Sequence, residues 1–170
     1  MEDLIKKYND LGIDKAIDHD KFNAISIVHH STVLEGSTLT EVETSVLIND
    51  GLTPKGKPLE HSLMVSDHYS ALAFVIEQAN NKTPVSIHLI KQIGGLVLKS
   101  TGVVYETVFG QIDASKGEFR KGNVTAGQTY FPNYDKVDNL MHELVSTITE
   151  KMKETLSVED KLNLAFDAHF

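Results

Sequence analysis

The sequence predicts a mainly α-helical bundle interrupted by one β-hairpin. Three observations carry that reading. Helix-start residues recur before segments with helical apolar spacing. That spacing fails once, between Thr101 and Pro132, where Gly102, Gly110, Gly117, Gly122 and Gly127 gather. The chain has 170 residues, the length of one ordinary domain with its own core.

In chain order, Asp20 is placed to cap a first helix carrying Phe22, Ile25 and Val28 and ending at Gly36. Thr40 and Glu43 form a capping box ahead of Val42, Val46 and Leu47, and Asn49-Asp50-Gly51 stops that helix. A long helix then runs from about Leu59 to Gln78, with Leu63, Leu72, Ala73 and Ile76 toward a core. Thr83 and Pro84 read as a cap and first-turn proline before Ile87, Ile90, Ile93 and Val97. Asp135 opens a helix with Val137, Leu140, Met141, Leu144 and Ile148, and Ser157 opens the last, with Leu162, Ala165, Phe166 and His169. In the intervening stretch, Glu118-Phe119-Arg120 and Thr129-Tyr130-Phe131 flank Lys121 to Gln128, which predicts the hairpin between Gly117 and Phe131. So long a non-helical segment inside a helical domain is more often functional than structural.

Composition removes several function classes. There is no cysteine, so disulfides, thiolate metal sites and cysteine nucleophiles are excluded. The net charge is −8 with no basic stripe, which argues against nucleic-acid binding. No apolar run approaches the ~20 residues of a membrane span, and the first residues are polar, so a cytoplasmic protein without a membrane partner is expected. Of sixteen lysines and arginines, Arg120 is the one arginine, unusual for a nucleotide enzyme given how often arginine forks hold phosphate.

Gly51 to Lys57 matches seven positions of a phosphate loop, but Pro58 stands where Ser or Thr should bind magnesium and a helix precedes it; it reads as a polar turn. The eight histidines show no metal spacing: His142-Glu143 lacks the second histidine of a zincin, and His29 and His30 are adjacent. Ser31 and Glu35 are four apart, on one helical stripe with Ala24 and Val28. Glu35 falls at the negative end of the helix dipole, an unfavourable place for a carboxylate by ~0.3–1 kcal/mol. It is either a solvated helix-end acid or an acid with a cationic partner.

Five segments, in order, resemble the Fic (Fido-fold) family. Ser31-x-x-x-Glu35-Gly36 is similar to its inhibitory motif, (Ser/Thr)-x-x-x-Glu-(Gly/Asn). Thr38-Leu39-Thr40-x-x-Glu43 and the run ending at Leu52 resemble the family's segment just C-terminal to that motif. Gly117 to Arg120, Val124 to Gly127 and Tyr130 to Pro132 resemble the family's flap. Lys136-Val137 and Leu140 to Leu144 resemble the next helix, and Ala165 to Phe170 the helix that leads to the catalytic loop. That loop, His-Pro-Phe-x-(Asp/Glu)-Gly-Asn-Gly-Arg-x-x-Arg, is not in the 170 residues.

The resemblance implies a single Fic-like domain over 1–170, incomplete at its C-terminus. Within it, 1–36 would hold the inhibitory helix and 101–132 the flap hairpin. It implies autoinhibited transfer of AMP from ATP, with magnesium, to a protein hydroxyl. Ser31, Glu35 and Gly36 would be inhibitory, Glu35 pairing with an arginine of the loop. Val124, Thr125, Ala126 and Gly127 would contact the nucleotide. The flap would pair with an extended segment of a protein substrate. No catalytic residue and no metal ligand would lie in this chain, so no activity is expected from it alone. Leu162, Phe166 and Phe170 would leave an apolar face uncovered, through which a homo-oligomer could form. The alternative is a non-enzymatic helical interaction module that uses the flap edge.

Overall fold

The computed structural model describes residues 2–12, 18–108, 110–154 and 156–169. Among these, the chain runs α1 (Glu2–Asp10), α2 (His19–Leu34), α3 (Glu41–Asp50), α4 (Leu59–Asn80), α5 (Ile87–Val97), β1 (Val104–Thr107), β2 (Gly110–Asp113), a 3₁₀ turn (Ala114–Lys116), β3 (Thr125–Ala126), β4 (Thr129–Tyr130), α6 (Tyr134–Lys151) and α7 (Val158–His169). The mainly helical expectation holds. No described helix is long and apolar enough to cross a membrane. The expectation for Phe170 lies outside the described residues.

Local capping chemistry sets most boundaries. Around α3, the Thr40 hydroxyl accepts from Glu43 N at 3.2 Å while the Glu43 carboxylate accepts from Thr40 N at 2.8 Å. Gly51 then ends the helix in the left-handed region, as read from the sequence. Ser157 and Asp160 repeat the reciprocal pattern at α7, both bonds at 3.1 Å. Two caps fall elsewhere than expected. Asp18, not Asp20, caps α2 by accepting from Lys21 N at 3.0 Å, and Asp20 lies in the first turn. Ser86, not Thr83, caps α5 through Leu89 N at 3.1 Å, so Pro84 stands before the helix. At α6 the helix begins at Tyr134, one residue before Asp135.

The core is concentrated at α2, α3 and α4, where Val28, Leu39, Leu47 and Val65 pack together and Ile48, Tyr69 and Leu72 lie against them. Helix α4 also packs on α5, which packs on the 3₁₀ turn and α6, and α6 on α7. Being covered from two sides, α4 buries its small and polar residues, Ser62, Asp67 and Ala71, beside Val65. Asp67 accepts from Ser100 N at 2.6 Å and from its hydroxyl at 3.0 Å, tying the end of α5 to α4. The large apolar positions expected inside are partly wrong for this reason: Ala73 and Ile76 are exposed and Leu63 is half-buried. Phe22, at 58% exposure, and Val42 also face solvent. Leu162 and Phe166 on α7 are exposed, in line with the uncovered face expected there.

The stretch 101–132 holds two hairpins rather than one. The expected one is present, with Thr125 opposite Tyr130 and Ala126 opposite Thr129. The unforeseen one pairs β1 with β2, Val104 opposite Asp113 through Thr107 opposite Gly110. Its signal was the β-branched and aromatic run Val103 to Val108, whose residues favour a pleated backbone.

The capping box supplies a stability prediction. Thr40→Ala should lower unfolding stability by about 1 kcal/mol in a denaturant titration at neutral pH. The Thr40 backbone N–H, with help from its hydroxyl and from Lys57, holds the Glu43 carboxyl below its ordinary pKa. Its contribution is therefore present above the ordinary carboxylate value and lost as pH falls through the lowered one. The deficit from Glu43→Gln should accordingly shrink in strong acid.

Candidate functional site

Helix α2 ends in a Schellman motif that presents Glu35. Glu35 is the first residue beyond the helix. Gly36, at φ +98°, takes the left-handed conformation that lets its N–H return to Val33 O at 3.0 Å. Ser37 N then reaches Thr32 O at 2.9 Å. The sequence placed Glu35 in the last helical turn; it stands one residue later, as the cap, with the same exposure to the negative dipole. Ser31 lies one turn back, half-buried, its carbonyl accepting from Glu35 N at 3.3 Å. Glu35 is exposed, and among the described residues no hydrogen bond or ion pair engages its carboxylate.

The chain just after Glu35 is tethered. Thr32 is fully buried beneath the turn, and Ser37 and Leu39 are buried at 6% and 2% exposure. Thr38 N donates to His61 Nδ1 at 3.1 Å, across 23 residues of sequence. Lys57 Nζ donates to Thr38 O at 2.6 Å and lies 3.5 Å from the Glu43 carboxylate. The turn that mimics part of a phosphate loop thus spends its lysine on the backbone just past Glu35. Neither His61 nor Lys57 stood out in the sequence as a partner of that segment, since nothing local links them to Thr38.

The flap is built on Arg120. Its guanidinium donates to Gly122 O at 2.8 Å and to Pro132 O, closing the two ends of the hairpin segment. Phe131 N returns to Val124 O at 3.4 Å, Tyr134 N to Asn123 Oδ1 at 3.0 Å, and Lys121 Nζ to Gln111 O at 3.2 Å. The turn itself is Gly127-Gln128, with Gly127 at φ +59° and Gln128 outside the left-handed region, the pattern of a type II′ hairpin. Val124, Thr125, Ala126 and Gly127 are all exposed, and Tyr130 is 85% exposed. Behind the strands a groove of about 310 Å³ runs between Val124, Phe131 and Pro132 on one side and Val137, Leu140 and Met141 on the other.

Arg120 is therefore structural: it closes the flap segment rather than pairing with Glu35. Arg120→Ala should loosen the flap, with a loss of about 2 kcal/mol typical of a charged donor removed from carbonyl partners. Faster exchange of the Phe131 amide, while the Thr44 amide in α3 is unchanged, is the expected signature.

The two sets of expected site residues are held by different parts of the molecule. Ser31, Glu35 and Gly36 stand at the C-terminal end of α2, the helix that packs with α3 and α4, and Val124 to Gly127 lie in the segment before α6. Among the described residues no hydrogen bond or ion pair joins them. The arrangement offers an uncompensated carboxylate at one place and an exposed, edge-presenting hairpin at another.

No protein-family profile matches the sequence. Among solved structures, the chain is similar to a Fic-domain-containing signalling protein from Bacteroides thetaiotaomicron, with a TM-score of 0.73 at 21% sequence identity. The match covers 92% of this chain and 58% of that protein, so the chain spans little more than half the length of the structure it resembles. A likeness of that closeness over nearly the whole chain, at that identity, speaks to architecture: the chain has the Fic (Fido) fold.

Proposed function

We propose that this chain is the regulatory and substrate-facing portion of an autoinhibited Fic-type AMP transferase. The observation that carries the reading is Glu35, an acid with no partner among the described residues. The turn beneath it is fixed by a Schellman motif, three buried residues and two long-range tethers. A carboxylate held firmly at the unfavourable end of a helix, with nothing to neutralise it, suits a partner cation supplied by another segment. In the proposed reading that cation is an arginine of the catalytic loop, and Ser31 and Gly36 complete the motif that presents Glu35.

In the same reading, Val124 to Gly127 would cover the nucleotide, and the open edge of β3 or β4 would receive an extended segment of the protein target by strand addition. ATP and magnesium would be held by loop residues that the 170 residues do not contain. The catalytic step would likewise require that loop's histidine, with 1–170 acting as one domain completed by it.

The test joins this chain to a segment carrying the catalytic loop and incubates it with ATP labelled on either the α- or the γ-phosphate. Label retained on protein from the α-phosphate and not from the γ-phosphate is the expected result. Label from the γ-phosphate, or from neither in the folded joined protein carrying Glu35→Gly, would contradict AMP transfer. The second reading, a non-catalytic module that binds a protein through the flap, is favoured by the exposure of Val124, Tyr130 and Phe131. It expects peptide binding by the 170 residues without any label transfer by the joined protein.

A further inference from the structure

Two donors of Thr38, its backbone N–H and its hydroxyl, both lie 3.1 Å from one nitrogen, His61 Nδ1. A backbone N–H can only donate, so Nδ1 must offer its lone pair and the ring proton must sit on Nε2. An imidazolium has no acceptor. Adding a proton at Nδ1 would set one N–H against another, on a residue whose carbonyl the Lys57 ammonium already holds at 2.6 Å. Among the described contacts the charged groups that meet here are Lys57, from the turn before α4, and Glu43 of α3, 3.5 Å from Lys57; Glu35 and Glu60 are the sequence neighbours on the two sides. Lys57 already has a carboxylate partner in Glu43 and a carbonyl partner in Thr38. The Thr38 hydroxyl can turn to accept from a protonated Nδ1, but the Thr38 backbone N–H cannot, so protonation removes that N–H bond.

We propose that His61 is a positioning residue for the Glu35 turn: its neutral imidazole pins Thr38, and protonation in acid releases that pin. Thr38 stands two residues after Gly36, so it is the first long-range anchor of the chain beyond the Schellman turn. With it in place, the segment from Glu35 to Thr40 is held between the end of α2 and the capping box of α3. With the backbone N–H bond gone, Thr38 is held by Lys57 and at most by its rotatable hydroxyl, and its main chain gains freedom while the Val28, Leu39, Leu47 and Val65 core stays packed. The latch is a property of these residues by themselves. Its meaning as a control on inhibition rests on the AMP-transferase reading above.

The experiment uses the 170-residue chain and measures amide hydrogen exchange by NMR as protection factors, between about pH 8 and about pH 5, where an imidazole ordinarily changes charge. The Thr44 amide, bonded to Thr40 O at 2.8 Å, serves as the reference for intact local structure. Relative to it, Thr38 protection in the wild type should fall by about fivefold or more toward acid, the worth of one ordinary hydrogen bond. His61→Asn places a non-titrating oxygen near the position of Nδ1 and should keep Thr38 protected across the range. His61→Ala should leave it weakly protected throughout. Constant protection in the wild type, an equal acid-induced fall in His61→Asn, or full protection in His61→Ala would each overturn the proposal. Failure of AMP transfer in the joined protein would leave this result untouched, so the two readings fail separately.

Discussion

Gly117→Ala should destabilise the chain by about 4 kcal/mol, the largest effect expected of any single methyl group in it. Gly117 comes directly after the 3₁₀ turn at φ +65°, where an L side chain is strained by roughly 1–2 kcal/mol. A Cβ at that position would overlap the Lys91 carbonyl oxygen and lie 2.9 Å from Gly95 N, so it would meet backbone on α5 rather than a side chain that can swing away. Overpacking of this kind typically adds about 1–3 kcal/mol. The contact matters because it is where the flap-bearing stretch meets the helical bundle. Gly95 of α5 is similarly close on its own side, since a Cβ there would lie 3.0 Å from Ser115 O. Lys91 adds a second tie, its ammonium 4.2 Å from the centre of the Phe119 ring. Gly122→Ala is the control: a Cβ there meets nothing within 4 Å and the backbone is not left-handed, so stability should change by no more than about 0.5 kcal/mol. Chemical denaturation of both variants beside the wild type measures the contrast. Equal stability of Gly117→Ala and wild type would mean that the 3₁₀ turn does not sit against α5 as described.

How much of the fold and site is legible in the sequence depends on the range of the interaction. The Thr40–Glu43 and Ser157–Asp160 boxes span three residues, so Thr40 and Ser157 locate α3 and α7 by local chemistry alone. Asp20 and Thr83 carry local cap signals comparable to those of the true caps, Asp18 and Ser86, so local chemistry alone does not choose between them. The interior of α4 escapes a periodicity reading because neighbours on two sides select small residues such as Ser62 and Ala71, whereas periodicity searches for large ones. The β1–β2 hairpin is hidden in a glycine-rich stretch that reads as loop, although Val103 to Val108 carry a strand signal. His61, Lys57 and Arg120 work through bonds to distant carbonyls or amides, and no local pattern announces those. The Ser31-x-x-x-Glu35-Gly36 motif is legible by resemblance. Its geometry, an exposed acid on a Schellman turn with Gly36 in the left-handed region, comes from the fold.

On the proposed AMP-transferase reading, Glu35→Gly should raise AMP transfer by about tenfold or more in the chain joined to a catalytic-loop segment, within the usual size of a coupling free energy between sites. The helix end makes the substitution a mild one. Glu35 caps α2 at φ −85°, so glycine is accommodated there at a propensity cost of about 1 kcal/mol or less. Gly36, which makes the left-handed turn, is left in place. The substitution therefore removes a charge while the Ser37–Thr32 and Gly36–Val33 bonds that shape the turn remain available. If a loop arginine pairs with Glu35, that guanidinium cannot also serve the γ-phosphate in its best geometry, and ATP is held unproductively. Removing the carboxylate frees it. Ser31→Ala should produce a smaller rise, because Ser31 carries no charge and lies half-buried one turn away.

The most direct measurement of the inhibitory role is transfer of α-phosphate label by the joined wild type and by its Glu35→Gly variant, side by side, with both shown to be folded. Weak labelling by the wild type and labelling about tenfold stronger by the variant are expected if Glu35 restrains the site. Equal labelling by the two would contradict that role and return Glu35 to a solvated acid at a helix end.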